Sequence, residues 1–378
     1  MPHDAAQESL LGTKTPGTLL RGIRLAGFRC FESLEYEPGA SLNFITGPNA
    51  RGKTSILEAA CVLLRLRSPR TVNLAEAVRF GGSAFGLEGM VEAQARESAT
   101  RLSLTCTPPS RLLKLDGVPQ SSTADYLSQG RIVWFGGEDL LLVNGPAERR
   151  RKLLDSAALQ MASPGGGPAC NYGRDLKSHD RALKSRNLLL REGRPRREIE
   201  SYNIPLAEAG DRVIAARAAL VSDLSPLAAA ACRGISGEEL ELTYLPGASA
   251  PMLEALMASR EEEIRLRQTR VGPQRDDVAV RLDGIPAGPF ASEGQRRTVA
   301  LALKLAVAAL LTRHNHATPL LLLDDIFGEL DPSRRDALLA GMPAGSQALL
   351  TTADLSGISL PEGSRVHLIG NGALEQVG

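Results

Sequence analysis

The 378-residue chain is poor in aromatics, which make up 4% of it with a single tryptophan, so stacking on single-stranded bases is not its expected way of meeting nucleic acid. Cysteine is scarce too. Cys30, Cys61, Cys106, Cys170 and Cys232 stand far apart with no CxxC pair, which argues against a zinc ribbon or a disulfide framework and for reduced, intracellular thiols. His314 and His316, in "TRHNHATP", read as a polar helix end and loop and not as a metal site. Charge of one sign is also missing: the net formal charge is +1, so this is no globally basic coat, and an anionic partner must be met by local clusters. There is no long hydrophobic run. The best stretch, residues 299–311, contains Lys304 and is too short to span a bilayer. The start, "MPHDAAQESLLGTKTPGT", lacks a basic segment followed by an apolar one. Residues 1–18 are therefore expected to be a flexible extension of a cytoplasmic protein without a membrane partner.

The chain does carry a strand-like pattern from Leu19, with apolar and polar residues alternating between Gly and Pro breaks, then a mostly apolar helix at "KTSILEAACVLLRLR". "RLSLTCTP" reads as a strand, and Asp116-Gly117 in "LLKLDGVPQ" as a hairpin turn. From about 147 to 268 the composition turns to Ala, Leu, Glu and Arg with helical periodicity, broken by "SPGGGPA", "GRPR" and "LPGASAP". Strand character returns at "DVAVRLDGIPAG", followed by a long helix from Ser292, the run "PLLLLDD" and the short strand of "SQALLTTADL". We therefore expect an α/β body in two pieces, 19–146 and 269–378, interrupted by a helical lobe at 147–268.

"GPNARGKTS" follows a strand and opens a helix, and it matches GxxxxGK[ST] through Gly47, Gly52, Lys53 and Thr54. Glycines let backbone N–H groups turn inward around phosphate oxygens, and the helix start adds partial positive charge. The expected ATP contacts are Gly47, Pro48, Asn49, Ala50, Arg51, Gly52, Lys53, Thr54 and Ser55, with Lys53 on the β- and γ-phosphates and Thr54 on Mg²⁺. Four leucines ending in Asp324 and Asp325 could by themselves be a buried strand meeting a polar turn. Beside a phosphate loop they read as the metal-holding acid, Asp324, and the residue that orients or deprotonates the attacking water, Asp325.

"ASEGQRR" opens the long helix, and Ser292 alone could be no more than an N-cap. Together with the other two motifs, however, Ser292, Gly294 and Gln295 resemble the signature segment of ABC-type ATPases. That resemblance implies contact in trans with the γ-phosphate held by a second protomer, hence an ATP-dependent head-to-tail homodimer. "GELD" then stands where such proteins have their D-loop. The wider set "EDLLLVNGPAERRRKLLD", "YGRDLKSHDRALKSRNLLL", "RVGPQRDD" and "ASEGQRRTVALALKLA" resembles the RecF family of bacterial recombination-mediator ATPases, from Leu19 onward. The resemblance implies an SMC-like head with an inserted helical lobe and no long coiled coil. It also implies an ATP-driven dimer on double-stranded DNA and single-strand/double-strand junctions, with slow hydrolysis. RecR and RecO are its implied partners in loading recombinase on gapped DNA. The chain departs from the family at Ala50, where a glycine is usual, at Pro69 and Gln274, where histidine is common, and at "WFGGEDL", which has two glycines for a Ser-Pro pair. Thr351-Thr352 fill the position of the ABC switch histidine.

Candidate phosphate contacts on DNA are Arg149, Arg150, Arg151 and Lys152 of "ERRRK", Lys177, Arg181, Lys184 and Arg186 of the next helix, and Arg65, Arg67 and Arg70. With Glu148 and Asp155 close by, "ERRRK" reads equally as an internally paired face. A transporter ATPase would share the three ATP motifs but place its signature much closer to the phosphate loop. A full SMC protein would need a long heptad stretch that the Pro and Gly breaks deny. A nucleotide-gated scaffold that clamps DNA stays open as a reading.

Overall fold

The computed structural model describes residues 17–93, 98–161, 168–248, 251–327, 330–356, 358–370 and 372–377. Its chain forms two compact units, one from Met1–Gly137 with Leu311–Gly378, the other Glu138–Leu310. The sequence suggested lobe limits at 147 and 268. The segment 269–310 goes instead with the inserted unit, because its strand pairs there.

In the first unit, β1 (Leu19–Phe28) and β2 (Phe31–Tyr36) form a hairpin, and β3 (Leu42–Thr46) runs into α1 (Lys53–Arg65). Next come β4 (Phe85–Glu92), β5 (Thr100–Thr107), β6 (Ser110–Leu115), β7 (Val118–Pro119), α2 (Thr123–Leu127) and β8 (Ile132–Phe135). Asp116 (φ 48°) and Gly117 (φ 83°) turn β6 into β7 with positive φ at both positions, as an Asp-Gly hairpin requires.

The chain then builds the second unit from α3 (Leu141–Asn144), α4 (Ala147–Met161), α5 (Pro168–Glu192), α6 (Arg196–Glu200) and α7 (Asn203–Ser236). β9 (Leu240–Leu245), α8 (Met252–Leu266), β10 (Asp277–Leu282), β11 (Ile285–Pro286), α9 (Ala287–Phe290) and α10 (Glu293–Asn315), whose residues from Leu311 on count with the first unit, follow. β9 is a strand inside a segment that the composition marks as a helical lobe. It pairs antiparallel with β10, from Asp277↔Leu245 to Leu282↔Leu240, and so draws β10 into this unit. Its alternation Leu240, Leu242, Tyr244 is present in the sequence, but six residues between long helices are easily taken for a helix end.

Returning to the first unit, the chain adds β12 (Leu320–Leu323), α11 (Pro332–Gly341), β13 (Ala348–Thr352), β14 (Arg365–Gly370) and β15 (Ala373–Gln376). This unit has two sheets. One is antiparallel, in the order β2-β1-β4-β5-β6-β7. The other, in the order β15-β14-β3-β13-β12-β8, is parallel except for the edge strand β15. α1 touches strands of both sheets, which is why its side chains are buried nearly all round, from Lys53 to Leu64. Parallel strands covered on both faces need continuous apolar runs, and the four leucines of β12 are all 0% exposed. Each such leucine contributes about 1.5–3 kcal/mol of burial, which fixes where the strand stops and the acids begin.

Candidate nucleotide-binding site

The parallel sheet sets the geometry of the site. β13 lies between β3 and β12, so the loop after β3 and the acids after β12 flank one strand at the carboxyl ends of three parallel neighbours. That is where open α/β sheets leave a crevice for ligands. Gly47 (φ 140°) and Gly52 (φ 99°) take backbone conformations that side chains resist. A Cβ on Gly47 would come within 2.8 Å of the Ile369 carbonyl oxygen, and one on Gly52 within 2.6 Å of the Phe31 ring. Ala50 has φ 62°, the left-handed region in which a Cβ costs roughly 1–2 kcal/mol, so the chain tolerates strain where a glycine would have none.

Helix α1 begins at Gly52 with no side-chain cap and no acid in its first turn. Its leading N–H groups are thus left for an outside acceptor, the arrangement of a phosphate site. Lys53, 8% exposed, donates from Nζ to the Gly47 carbonyl (2.6 Å), the Pro48 carbonyl (3.1 Å) and Asn49 Oδ1 (3.4 Å). Burial pulls its pKa below the usual lysine value, against the pull of the Asp325 and Asp324 carboxylates. Pro48, Asn49, Ala50 and Arg51 form the exposed crest of the loop, while Ser55 is buried behind it.

Across β13 the acids close the site. Thr54 Oγ1 donates to Asp324 Oδ1 at 2.8 Å, and Thr351 Oγ1 donates to the same oxygen at 2.8 Å. Burial chiefly raises the Asp324 pKa, the hydroxyls of Thr54 and Thr351 lower it, and the neighbouring Asp325 charge raises it further. Asp325 departs from strand geometry at φ 53°, with its N–H on Thr351 Oγ1 at 2.9 Å and its side chain exposed. Strand alternation therefore no longer governs it, and the charges of both acids act on Lys53. The hydroxyl and carboxylate expected to share Mg²⁺ already face each other at hydrogen-bond distance, so hard oxygen donors of the right kind are gathered beside the phosphate loop. Thr351 joins the two acids. The sequence marks its position only as that of a missing histidine, and a threonine within an apolar strand gives no sign of such a contact.

In the second unit, Ser292 is exposed and caps α10 in a reciprocal box: Gln295 N–H donates to Ser292 Oγ (3.2 Å) and Ser292 N–H to Gln295 Oε1 (2.8 Å). Gly294 follows in the first turn. Of "GELD", Gly328 and Glu329 lie outside the described residues, while Asp331 caps α11 by accepting from the Arg334 N–H at 3.0 Å.

The basic clusters need correction. Arg186 is 1% exposed and cannot reach DNA: it pairs with Glu263 (2.8 Å) and donates to Thr269 and Asn203. It lies two residues beyond Lys184, about 200° round the helix, hence on the inner side. Arg150 makes a fork with Asp277 (2.6 and 3.0 Å), Arg151 donates to the Asp276 carbonyl (2.7 Å), and Arg149 meets Glu138 (2.8 Å). "ERRRK" is thus an internally paired face. Arg65 is likewise turned inward, where burial, with Arg131 near it, pushes its pKa down to about 10. Arg67 is exposed, and Arg70 is about half exposed and leans on the buried Glu58. Lys152 is exposed and paired with Glu148 (2.6 Å), while α5 presents a stripe of basic residues, Arg174, Lys177, Arg181 and Lys184, all exposed and spaced three and four apart. Arg174 is a member that the sequence reading leaves out.

The motifs outside the ATP site hold the second unit together. Arg217, 3% exposed, bonds Asp155 (2.8 Å), Asp276 (2.7 Å) and the Pro273 carbonyl (2.7 Å), and the Tyr172 hydroxyl completes the group. Burial draws the guanidinium pKa down, but Tyr172, Asp155 and Asp276 hold it above its ordinary value.

Residues 23–99 match the model of an AAA domain. Over 360 residues, 93% of this chain and 95% of the relative, the sequence is 35% identical to the DNA replication and repair protein RecF of Moorella thermoacetica. The chain belongs to the RecF family. A solved structure of the recombination mediator protein RecF-ATP in the RecFOR pathway superposes with a TM-score of 0.86 at 28% identity, covering 96% of this chain and 98% of that one. The Smc head domain of Pyrococcus furiosus, bound to the C-terminal domain of ScpA, shares the fold at TM-score 0.58 and 15% identity over 95% of this chain and 96% of its own. This RecF-family chain is accordingly an ATP-binding ATPase with an SMC-like head, and nothing in these similarities favours the transporter reading.

Proposed function

We propose that this RecF-family protein is a DNA clamp run by a slow ATPase. Mg²⁺ and ATP bind at Gly47–Ser55 and Asp324, two copies join head to tail through Ser292, and the dimer holds duplex DNA or a single-strand/double-strand junction. The observation that carries this is the pair Thr54 Oγ1–Asp324 Oδ1 at 2.8 Å beside a buried Lys53 whose acceptors are a glycine carbonyl, a proline carbonyl and an asparagine. Thr54 and Asp324 would hold the metal, whose charge would offset that of the phosphates. Asp325 would orient or deprotonate water, and hydrolysis would open the dimer. The exposed stripe Arg174–Lys177–Arg181–Lys184 is the better candidate for the DNA backbone, in place of Arg149, Arg150, Arg151 and Arg186. RecR and RecO as partners, cytoplasmic action and recombinase loading at gaps follow from the family's place in that pathway.

The test is ATP turnover with and without a short duplex, with the molecular mass followed in parallel. Slow turnover that the duplex stimulates, with an ATP-dependent doubling of mass that Ser292→Arg prevents, is the expected result. Turnover indifferent to duplex, in a protein that stays monomeric in ATP, would refute the clamp.

A further inference from the structure

The signature segment is held by a carboxylate that no motif contains. Gln295 spends both ends of its amide: Oε1 accepts the Ser292 N–H at 2.8 Å, and Nε2 donates to Glu238 Oε1 at 2.7 Å. Glu238 stands just past α7, where Gly237 (φ 79°) forms a left-handed cap with its N–H on the Arg233 carbonyl at 2.9 Å. The cap turns the chain so that Glu238 faces the start of α10. Its other oxygen accepts the Ser236 hydroxyl at 2.6 Å, which fixes the carboxylate in place. The adjoining residue is tied down as well: Glu239 N–H donates to Asp283 Oδ1 (2.9 Å) and the Asp283 N–H returns to the Glu239 carbonyl (2.8 Å). A partly buried carboxylate with two short acceptor bonds, set on a braced corner, is a rigid support.

We propose that Glu238 is a positioning residue for the signature segment. By fixing the Gln295 amide it sets which atom faces Ser292, and so holds the Ser292 N–H inward and leaves the exposed side of the first turn for an anion from another molecule. The inference rests on the reading of Ser292 as the part that meets a second copy's ATP. Without Glu238, Gln295 Nε2 has no acceptor there and the amide is free to turn. The N-cap then frays in the monomer, and order must be restored when the dimer forms.

The experiment uses the full chain with Glu238→Ala and Glu238→Gln. The Glu238→Gln variant keeps an oxygen for Gln295 Nε2. Two quantities are read for each: affinity of the monomer for ATP in dilute protein, and the protein concentration at which ATP drives dimers. Glu238→Ala is expected to leave the first unchanged and to weaken dimerisation roughly tenfold, the order expected for losing a hydrogen bond to a charged group. Glu238→Gln is expected to recover most of it. A general packing role would lower both quantities together and would overturn the assignment. Normal dimerisation of Glu238→Ala, when the parent dimerises with ATP, would overturn it as well. A parent that fails to dimerise with ATP would remove the clamp reading itself and the inference with it.

Discussion

Lys53 and Arg186 are both buried cations, one in each unit, and their surroundings differ in kind. Arg186 is answered by an opposite charge: the Glu263 carboxylate lies 2.8 Å away, and Thr269 and Asn203 accept further N–H groups. Among the described residues Lys53 has only neutral acceptors within hydrogen-bond distance, on a loop whose helix lacks a side-chain cap and an acid in its first turn. Of the acids near it, the Asp324 carboxylate accepts from the Thr54 and Thr351 hydroxyls, and Asp325 is tied to Thr351 through its backbone N–H. A buried cation closed by a carboxylate belongs to the scaffold. One resting on carbonyls at an uncapped helix start is set for a ligand that brings its own negative charge.

The contrast predicts opposite outcomes for the two truncations. Arg186→Ala leaves Glu263 as an uncompensated buried charge and should cost roughly 3–5 kcal/mol of folding stability, read by urea unfolding. ATP affinity measured well below the transition should not change. Lys53→Ala should reverse the pattern: stability nearly kept, tight ATP binding abolished, read by titration with a fluorescent ATP analogue. If Lys53→Ala unfolds the protein and Arg186→Ala abolishes ATP binding in folded protein, the distinction between the two environments fails.

This distinction is not legible in the sequence, whereas the meeting of phosphate loop and acids in the candidate site is. Gly47, Lys53, Thr54 and Asp324 are readable because a phosphate loop and an acid-tipped parallel strand are short devices whose spacing follows from backbone geometry. Arg186 misleads because it sits in a run of basic residues, and only the phase of a long helix separates it from Lys184. Thr351 is readable only as the occupant of a position, since its hydrogen bonds to the acids come from the pairing of strands distant in the chain. β9 is hidden among helices, and with it the place where 269–310 belongs.

A smaller effect sharpens the surface half of the comparison. Lys177→Ala with Lys184→Ala should weaken duplex binding several-fold without affecting stability. Each lysine taken away from a phosphate should flatten the salt dependence of log K by about 0.9. Unchanged salt dependence would move DNA away from α5. The smallest effect concerns the loop crest. Ala50→Gly relieves a left-handed alanine and should raise stability by up to about 1 kcal/mol, after the entropy that glycine adds to the unfolded chain is deducted. A lower melting temperature for that variant would show the crest to be unstrained.

The central claim is that ATP held between the phosphate loop and the acids joins two copies, and that Asp325 ends the state. Asp325→Asn keeps shape and metal ligands while removing the base, whose share of the rate is on the order of a hundredfold. The direct measurement is the molecular mass of this variant in ATP and Mg²⁺ on duplex DNA, followed after a challenge with excess competitor. The account predicts a doubled protein mass that outlasts that of the parent in proportion to the slowed hydrolysis. Release as fast as the parent's, with hydrolysis measured as slow, would contradict it.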